Sequence, residues 1–395
     1  MEKDPKATSS NPTVRSAGSS PAAKTVVIAS AGPHPRSALA APPVRVIEPA
    51  STSPPTAESL REIWEQVFEK SPIEMSDNFY DLGGNADRAD AICAEIARLH
   101  RCQLPGAAIS HAPTLEQLTL LLQQDPLPKL SPFIEIKPGT TDPPIFIAHG
   151  LSGMVEFYKL AKHIHTPHAI YGIQARGLDG TEEPFDRLED MADYYLAALA
   201  ESHPGDPYLL MGYSFGGLVA LEMAQRLLQR GKRVALLTLI DTYPHPRFMP
   251  APMRVWLFAR RMRRHAANMS AMPVSSALSY LGRGVQSKLH LAAPLVIDER
   301  NTTSLATTMP RVNHRAYRAY FNYRPRFYPG SIKFVTTEDK SFFPSDPKSV
   351  WKHLTDDFEA AMIPGNHLSI VSTEYRQLAE ALTRFVEKAD ISATM

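Results

Sequence analysis

Cysteine is scarce in this chain. Its 395 residues include only Cys93 and Cys102. Two thiols are too few for a disulfide scaffold, and they lie in no metal-ligand pattern, so both are expected to be free in a reducing cytosol. An excess of charge of one sign is also missing. Lys and Arg number 42 against 41 Asp and Glu, a formal net charge of +1, which argues against a nucleic-acid partner held by bulk electrostatics. No run approaches the ~20 apolar residues that span a bilayer, and no apolar h-region follows Met1. The expectation is a cytoplasmic protein with no membrane or nucleic-acid partner. His163 and His165 are spaced H-x-H without further ligands, so no metal site is expected and a helix-end pair is the reading.

What is abundant changes along the chain. Residues 1–55 are rich in Ala, Pro and Ser and poor in periodic apolar residues. Such a segment cannot offset its ordering entropy and reads as a disordered tail. Residues 56–125 read as a small helical bundle. Leu60, Ile63, Trp64, Val67 and Phe68 make one helical face, and Ala89, Ile92, Cys93, Ile96 and Leu99 make a second. A third short helix carries Leu115, Leu118, Leu121 and Leu122, with Thr114 as N-cap. Asp125-Pro126-Leu127-Pro128 is a linker. From 131 to 390 short apolar runs (145–148, 169–173, 208–211, 234–240, 332–335 and 359–363) alternate with helical patterns, notably 188–203 and 215–230. Alternation of this kind predicts an α/β domain with a mostly parallel sheet.

The strand at 208–211 runs into Gly212-Tyr213-Ser214-Phe215-Gly216-Gly217 and then into a helix. This is G-x-S-x-G in the strand–turn–helix context of an α/β-hydrolase. Gly212 and Gly216 let strand and helix approach, so that a strained turn can lift the Ser214 hydroxyl. A bystander serine in a glycine-rich turn is the bland alternative, and the flanking elements weigh against it. The base in this fold comes last, in a loop after the final strand. Of the 14 histidines, His367 sits in such a loop, Pro364-Gly365-Asn366-His367-Leu368, whereas His314 and His353 fall in expected helices. For the acid, Asp241 ends a very apolar strand and competes with Glu338 and Asp339 one strand later. Asp241 is favoured because Thr242-Tyr243-Pro244 would hold it rigidly. The main-chain N–H groups of Phe215 and Leu151 are the candidates for an oxyanion hole, with His149 shaping the loop beside it.

Residues 131 to about 388 resemble the thioesterase domains that end non-ribosomal peptide and polyketide assembly lines. The matching stretches are Ile147-Ala148-His149-Gly150-Leu151-Ser152-Gly153, Gly212-Tyr213-Ser214-Phe215-Gly216-Gly217-Leu218, Leu239-Ile240-Asp241 and Gly365-Asn366-His367. The resemblance implies a Ser214–His367–Asp241 triad, acyl-enzyme chemistry on a thioester, and a helical lid at about 243–322. That lid would hold Trp256, Leu257, Phe258, Arg260, Arg261, Arg263, Arg264 and His265. Its basic residues are either a solvated face or a dock for an acidic partner or phosphate.

Residues 56–125 resemble the acyl or peptidyl carrier domain of the same systems through Phe79-Tyr80-Asp81-Leu82-Gly83-Gly84-Asn85. The family then places the serine that bears phosphopantetheine, but this chain has Ala86. Alanine offers no hydroxyl, so the carrier-like module is expected to hold no covalent cofactor. It is either an engineered serine-to-alanine change or a natural degenerate copy kept for docking; Asp87 and Arg88 point to drift. The substrate would then arrive on the phosphopantetheine of a partner carrier or upstream synthetase module in trans, or on coenzyme A. Two other readings remain open: an acyl-CoA or ester hydrolase or acyltransferase, and a non-catalytic docking protein.

Overall fold

A computed structural model describes residues 54–151, 154–270, 303–340, 343 and 346–391. The tail expected at 1–55 lies outside these residues apart from Pro54 and Pro55, as does 271–302 of the expected lid. All described residues belong to one unit, 49–395.

The first helices form where the sequence supplies both a cap and an apolar face. Helix α1 spans Ala57–Phe68, and the Thr56 hydroxyl accepts from the Ser59 N–H at 3.2 Å. Helix α2 spans Ala86–His100, with Asn85 Oδ1 accepting from the Arg88 N–H at 3.0 Å. A short α3, Ala108–His111, precedes α4, Leu115–Leu122, which Thr114 caps as expected. Leu60, Trp64, Ile92, Ile96, Leu115 and Leu118 are fully buried, each stabilising the bundle by about 1.5–3 kcal/mol on transfer from water. Trp64, Phe68 and Phe79 add edge-on and tilted ring contacts at 5.6–5.9 Å. Gly84 leaves room for the Phe79 ring, which a Cβ there would meet at 2.2 Å.

A seven-stranded sheet follows: β1 Phe133–Lys137, β2 Thr141–Ala148, β3 His168–Ile173, β4 Tyr208–Tyr213, β5 Val234–Ile240, β6 Tyr328–Thr337 and β7 Thr355–Ile363. Their spatial order is β1-β3-β2-β4-β5-β6-β7. Only β1 is antiparallel to its neighbour, so the α/β class with a mostly parallel sheet is observed. The helices of this region are α5 Val155–His163, α6 Leu188–Ser202, α7 Phe215–Gln229, α8 Ala251–Ser270, α9 Leu305–Asn322, α10 Pro347–Trp351, α11 Ser369–Ser372 and α12 Tyr375–Glu387. Strand β4 is buried along its whole length, as a central parallel strand must be when helices cover both faces.

The differences from the sequence reading lie mostly at strand starts, since β2, β6 and β7 each begin four residues before the apolar runs read at 145, 332 and 359. The reading omits β1, where Glu135 and Lys137 interrupt a short apolar run. It starts β7 four residues late, because Asp356 and Asp357 are exposed on this outermost strand. His353 lies in the turn after α10 rather than inside a helix, whereas His314 is within α9. The helix expected from about Ser369 stops at Ser372 and resumes as α12.

The bundle packs directly on the sheet domain. The rings of Tyr80 and Tyr158 stack with centroids 3.8 Å apart, and the Tyr158 hydroxyl donates to the Ser110 carbonyl at 2.9 Å. Lys162 pairs with Asp81 at 2.6 Å. Both Tyr158 and Lys162 lie on α5.

Candidate active site

The parallel register sets the site. Ala148 pairs with Gly212, Tyr213 with Ile240, and Ile240 with Val335. The carboxyl ends of β2, β4 and β5 therefore finish at one rim, where open parallel sheets present their functional loops. The residues that follow those strands are His149-Gly150, Ser214 and Asp241.

Ser214 sits between β4 and α7 at φ 55°, ψ −119°, a conformation that a non-glycine residue adopts at a cost of order 1–3 kcal/mol. Close packing enforces it. A Cβ at Gly212 would lie 2.3 Å from the Gly216 carbonyl oxygen, and one at Gly216 would lie 2.2 Å from that of Ala148. Both glycines thus have the role expected of them. Gly217, which the sequence reading left without one, is equally constrained, because a Cβ there would lie 2.0 Å from Thr242 Oγ1. The Ser214 N–H donates to the Ile240 carbonyl at 2.9 Å, which ties the turn to β5.

Asp241 also has a left-handed backbone, φ 42°, and its N–H donates to Val335 at 2.8 Å. Its side chain is 3% exposed and accepts from His367 Nδ1 at 2.8 Å through Oδ2. This contact places the Asp241 carboxylate on Nδ1. With Nδ1–H donating, Nε2 is the acceptor nitrogen of the neutral imidazole. The loop that carries His367 is held by Asn366, whose Oδ1 accepts from the N–H groups of Leu368 and Ser369 at 2.9 and 3.0 Å. Gly365 supplies the φ of 87° that this turn needs.

Tyr213 links the nucleophile candidate to the base candidate. Its ring stacks on the His367 imidazole at 5.1 Å, and its hydroxyl donates to the His367 carbonyl at 2.5 Å. Burial pushes the Tyr213 pKa well above its usual range, so it remains a neutral donor. Phe343 meets the imidazole edge-on at 4.8 Å, and Tyr243 stacks behind Phe343 at 4.7 Å. Phe343 carries no motif that sequence reading could have found.

Phe215 opens α7, so its N–H is among the amides that have no acceptor within the helix. Phe215 and Leu151 line the same cavity, together with His149, Gly150, Arg176, Phe185, Tyr195, and Val312, Asn313 and Ala316 of α9. A Cβ added at Gly150 would lie 3.4 Å from Ser214 Cβ, so this loop is pressed against the serine. Burial lowers the pKa of His149, whose Nδ1 contacts the Gly150 carbonyl. That contact shapes the loop beside Leu151. Of the basic residues expected in the lid, Arg260 donates to the Lys340 carbonyl at 2.7 Å and lies over Trp256. The side chains of Arg261, Arg264 and His265 lie outside the described residues.

Cys93 and Cys102 are free, and burial pushes the Cys93 thiol up to about 12. Among the described residues no group of three His, Cys, Asp or Glu side chains could hold a metal ion, and no helix is long and apolar enough to cross a membrane.

The sheet order and the strained serine turn define an α/β-hydrolase. Residues 143–389 match the family model for the thioesterase domain, and the chain belongs to that family, in the type carried by nonribosomal peptide synthetases. It is 28% identical over 336 residues to a dimodular nonribosomal peptide synthase of Bacillus subtilis (strain 168), covering 81% of this chain and 14% of that protein. It is 34% identical over 188 residues to the vanchrobactin synthetase of Vibrio anguillarum, covering 46% and 7%. The chain thus spans about a seventh or less of the length of these relatives. A crystal structure of a holo four-domain nonribosomal peptide synthetase bound to AMP and glycine shares the fold at 23% identity. Its TM-score is 0.50, covering 87% of this chain and 27% of that one.

Proposed function

We propose that Ser214, His367 and Asp241 form a catalytic triad that releases an acyl or peptidyl chain from the phosphopantetheine thioester of a carrier supplied in trans. The observation that carries this reading is the 2.8 Å contact between Asp241 Oδ2 and His367 Nδ1. It occurs at the rim where Ser214 is held in a strained turn and its neighbour Tyr213 stacks on the imidazole. Asp241 fixes the tautomer, so Nε2 can take the proton from Ser214 Oγ as that oxygen attacks the thioester carbonyl. The N–H groups of Phe215 and Leu151 stabilise the oxyanion. Collapse of the adduct expels the pantetheine thiolate, which takes the proton from His367 and leaves an acyl-serine. Water activated by His367 then gives the free acid and restores Ser214. Attack by a nucleophile within the chain would give a lactone or lactam by the same steps.

Residues 56–125 are read as a carrier-like module that cannot be loaded. Ala86, the first residue of α2, carries no oxygen to phosphorylate. Ser110, well beyond α2, has its hydroxyl paired with Tyr80 at 2.8 Å. The substrate therefore comes from an upstream synthetase module or a separate carrier, consistent with relatives that are much longer synthetases.

A panel of acyl-pantetheine, acyl-coenzyme A, acyl-carrier and simple ester substrates tests the reading. Turnover of the carrier thioesters by the wild type and its loss in Ser214→Ala is the expected result. Preference for coenzyme A thioesters or oxygen esters would redirect the assignment, and no turnover of any substrate would overturn it.

A further inference from the structure

Helix α9 forms one wall of the cavity lined by Leu151 and Phe215, the two oxyanion-hole candidates, through Val312, Asn313 and Ala316. Its two ends are anchored by different parts of the molecule. At the carboxyl end, the C-cap residue Tyr323 donates to the fully buried Glu222 of α7 at 3.0 Å. At the amino end the anchor is Asp90 of α2, in the bundle. One carboxylate oxygen of Asp90 accepts from the Leu305 N–H at 2.8 Å. The other accepts from Ser304 Oγ at 2.6 Å and from the Ala306 N–H at 3.0 Å.

Three features make this a built contact. An anionic carboxylate meets the positive end of a helix and satisfies amides that have no partner within it. The bundle leaves space for it at Gly106, where a Cβ would lie 2.6 Å from Asp90 Oδ1 and 2.8 Å from Leu305 Cγ. The first turn of α9 also needs outside support. Pro310 has no N–H, so the Ala306 carbonyl lacks its usual intrahelical donor. The same bundle grips α5, which begins four residues after Leu151, through Tyr80–Tyr158 and Asp81–Lys162.

We propose that residues 56–125 are a fixed brace of the acyl site, and that Asp90 is a positioning residue which sets the cavity wall by capping α9. Leu305 and Val312 are two turns apart, about 10 Å along the axis, so fraying at the cap reaches the wall within one short helix. The bundle thereby acts on substrate selection without carrying substrate. This inference rests on the proposed function, with the acyl chain taken into the cavity that Leu151 and Phe215 line.

The test uses the full chain with Asp90→Ala, Asp90→Asn and Ser304→Ala. The control is Asp87→Ala, which removes the same charge from an exposed position of α2. Alanine favours helix, so Asp90→Ala should leave α2 itself intact; Ser304→Ala removes both the hydroxyl that donates to Asp90 and the N-cap acceptor of the Ala306 N–H. Amide hydrogen exchange in residues 304–310 is expected to rise about fivefold or more in Asp90→Ala, the order expected for loss of a charged cap. Asp90→Asn should recover part of the protection, and Asp87→Ala should exchange there like the wild type. Across an acyl-pantetheine chain-length series, Asp90→Ala should change kcat/KM about threefold or more for long chains through KM. Acetyl-pantetheine turnover should stay at the wild-type value. Wild-type exchange in both Asp90→Ala and Ser304→Ala would overturn the cap. Raised exchange with an unchanged chain-length profile would overturn the brace of the acyl site. If the wild type hydrolyses no thioester, the proposed function fails, and the exchange result alone still decides the cap.

Discussion

Three side chains from distant parts of the chain carry the proposed chemistry, and each was legible in the sequence for a different reason. Ser214 stands in a motif whose glycines have a steric purpose, and His367 stands in a glycine-containing loop after the last strand. Asp241 was the choice between two strand ends, made on the stiffness of Thr242-Tyr243-Pro244 and on family resemblance. Its 2.8 Å contact with His367 agrees with that choice. Phe343, which meets the imidazole edge-on, was not legible, and Tyr213 stands in the motif but its place on the imidazole face was not readable from it. Aromatic residues occupy many core positions, and nothing in the sequence says which of them meets His367. The test at this scale is Asp241→Asn. The amide can still occupy the site, but it can donate to Nδ1 and favour the wrong tautomer. Turnover should fall by about 10⁴ in kcat with little change in fold. Near-wild-type kcat would move the acid role to Glu338 or Asp339.

At the level of elements, helices with caps and the apolar centres of the strands were readable, and strand starts and the margins of the sheet were not. Strand β1 and the first residues of β7 are polar on one side because they lie at the margins of the sheet. A reading based on continuous apolar runs passes over them. Close approach between elements was only partly readable. Gly212 and Gly216 carry the motif, but Gly217 is just as confined, since α7 rests there on Thr242 beside Asp241. A methyl group at 217 must push α7 from β5. Gly217→Ala should therefore destabilise the protein by about 1–3 kcal/mol, the usual cost of overpacking, and lower turnover. Urea denaturation checks the first effect, and an unchanged midpoint would mean that α7 can shift freely at this position.

At the level of the whole molecule, the sequence separated a bundle from an α/β region but contained no sign of how firmly they meet. Such contacts depend on residues such as Tyr80 and Asp81, read only as part of the carrier-like stretch, and Asp90, which the reading gave no role. His111, at the end of α3, is another. Burial lowers its pKa to about 4 despite the opposing charge of Asp179, and its Nε2 has no hydrogen-bond partner. The unfolded chain takes up a proton here near its ordinary pKa of 6.5, whereas the folded chain does so only near 4. The favourable contribution is complete above about pH 6.5 and is lost as pH falls toward 4, at no more than about 1.4 kcal/mol per pH unit. Melting curves of wild type and His111→Gln at pH 8, 6 and 5 should show the variant losing less stability than the wild type on acidification. Parallel losses would remove His111 from the pH response.

The central claim is that the hydroxyl at position 214 becomes covalently acylated by a thioester. Peptide mass spectrometry after brief exposure to an acyl-pantetheine substrate tests it most directly. The expected result is the acyl mass on the peptide containing Ser214, its absence in Ser214→Ala, and release of the free acid from the wild type. Acyl mass at a different residue, or thioester cleavage that persists in Ser214→Ala, would contradict it.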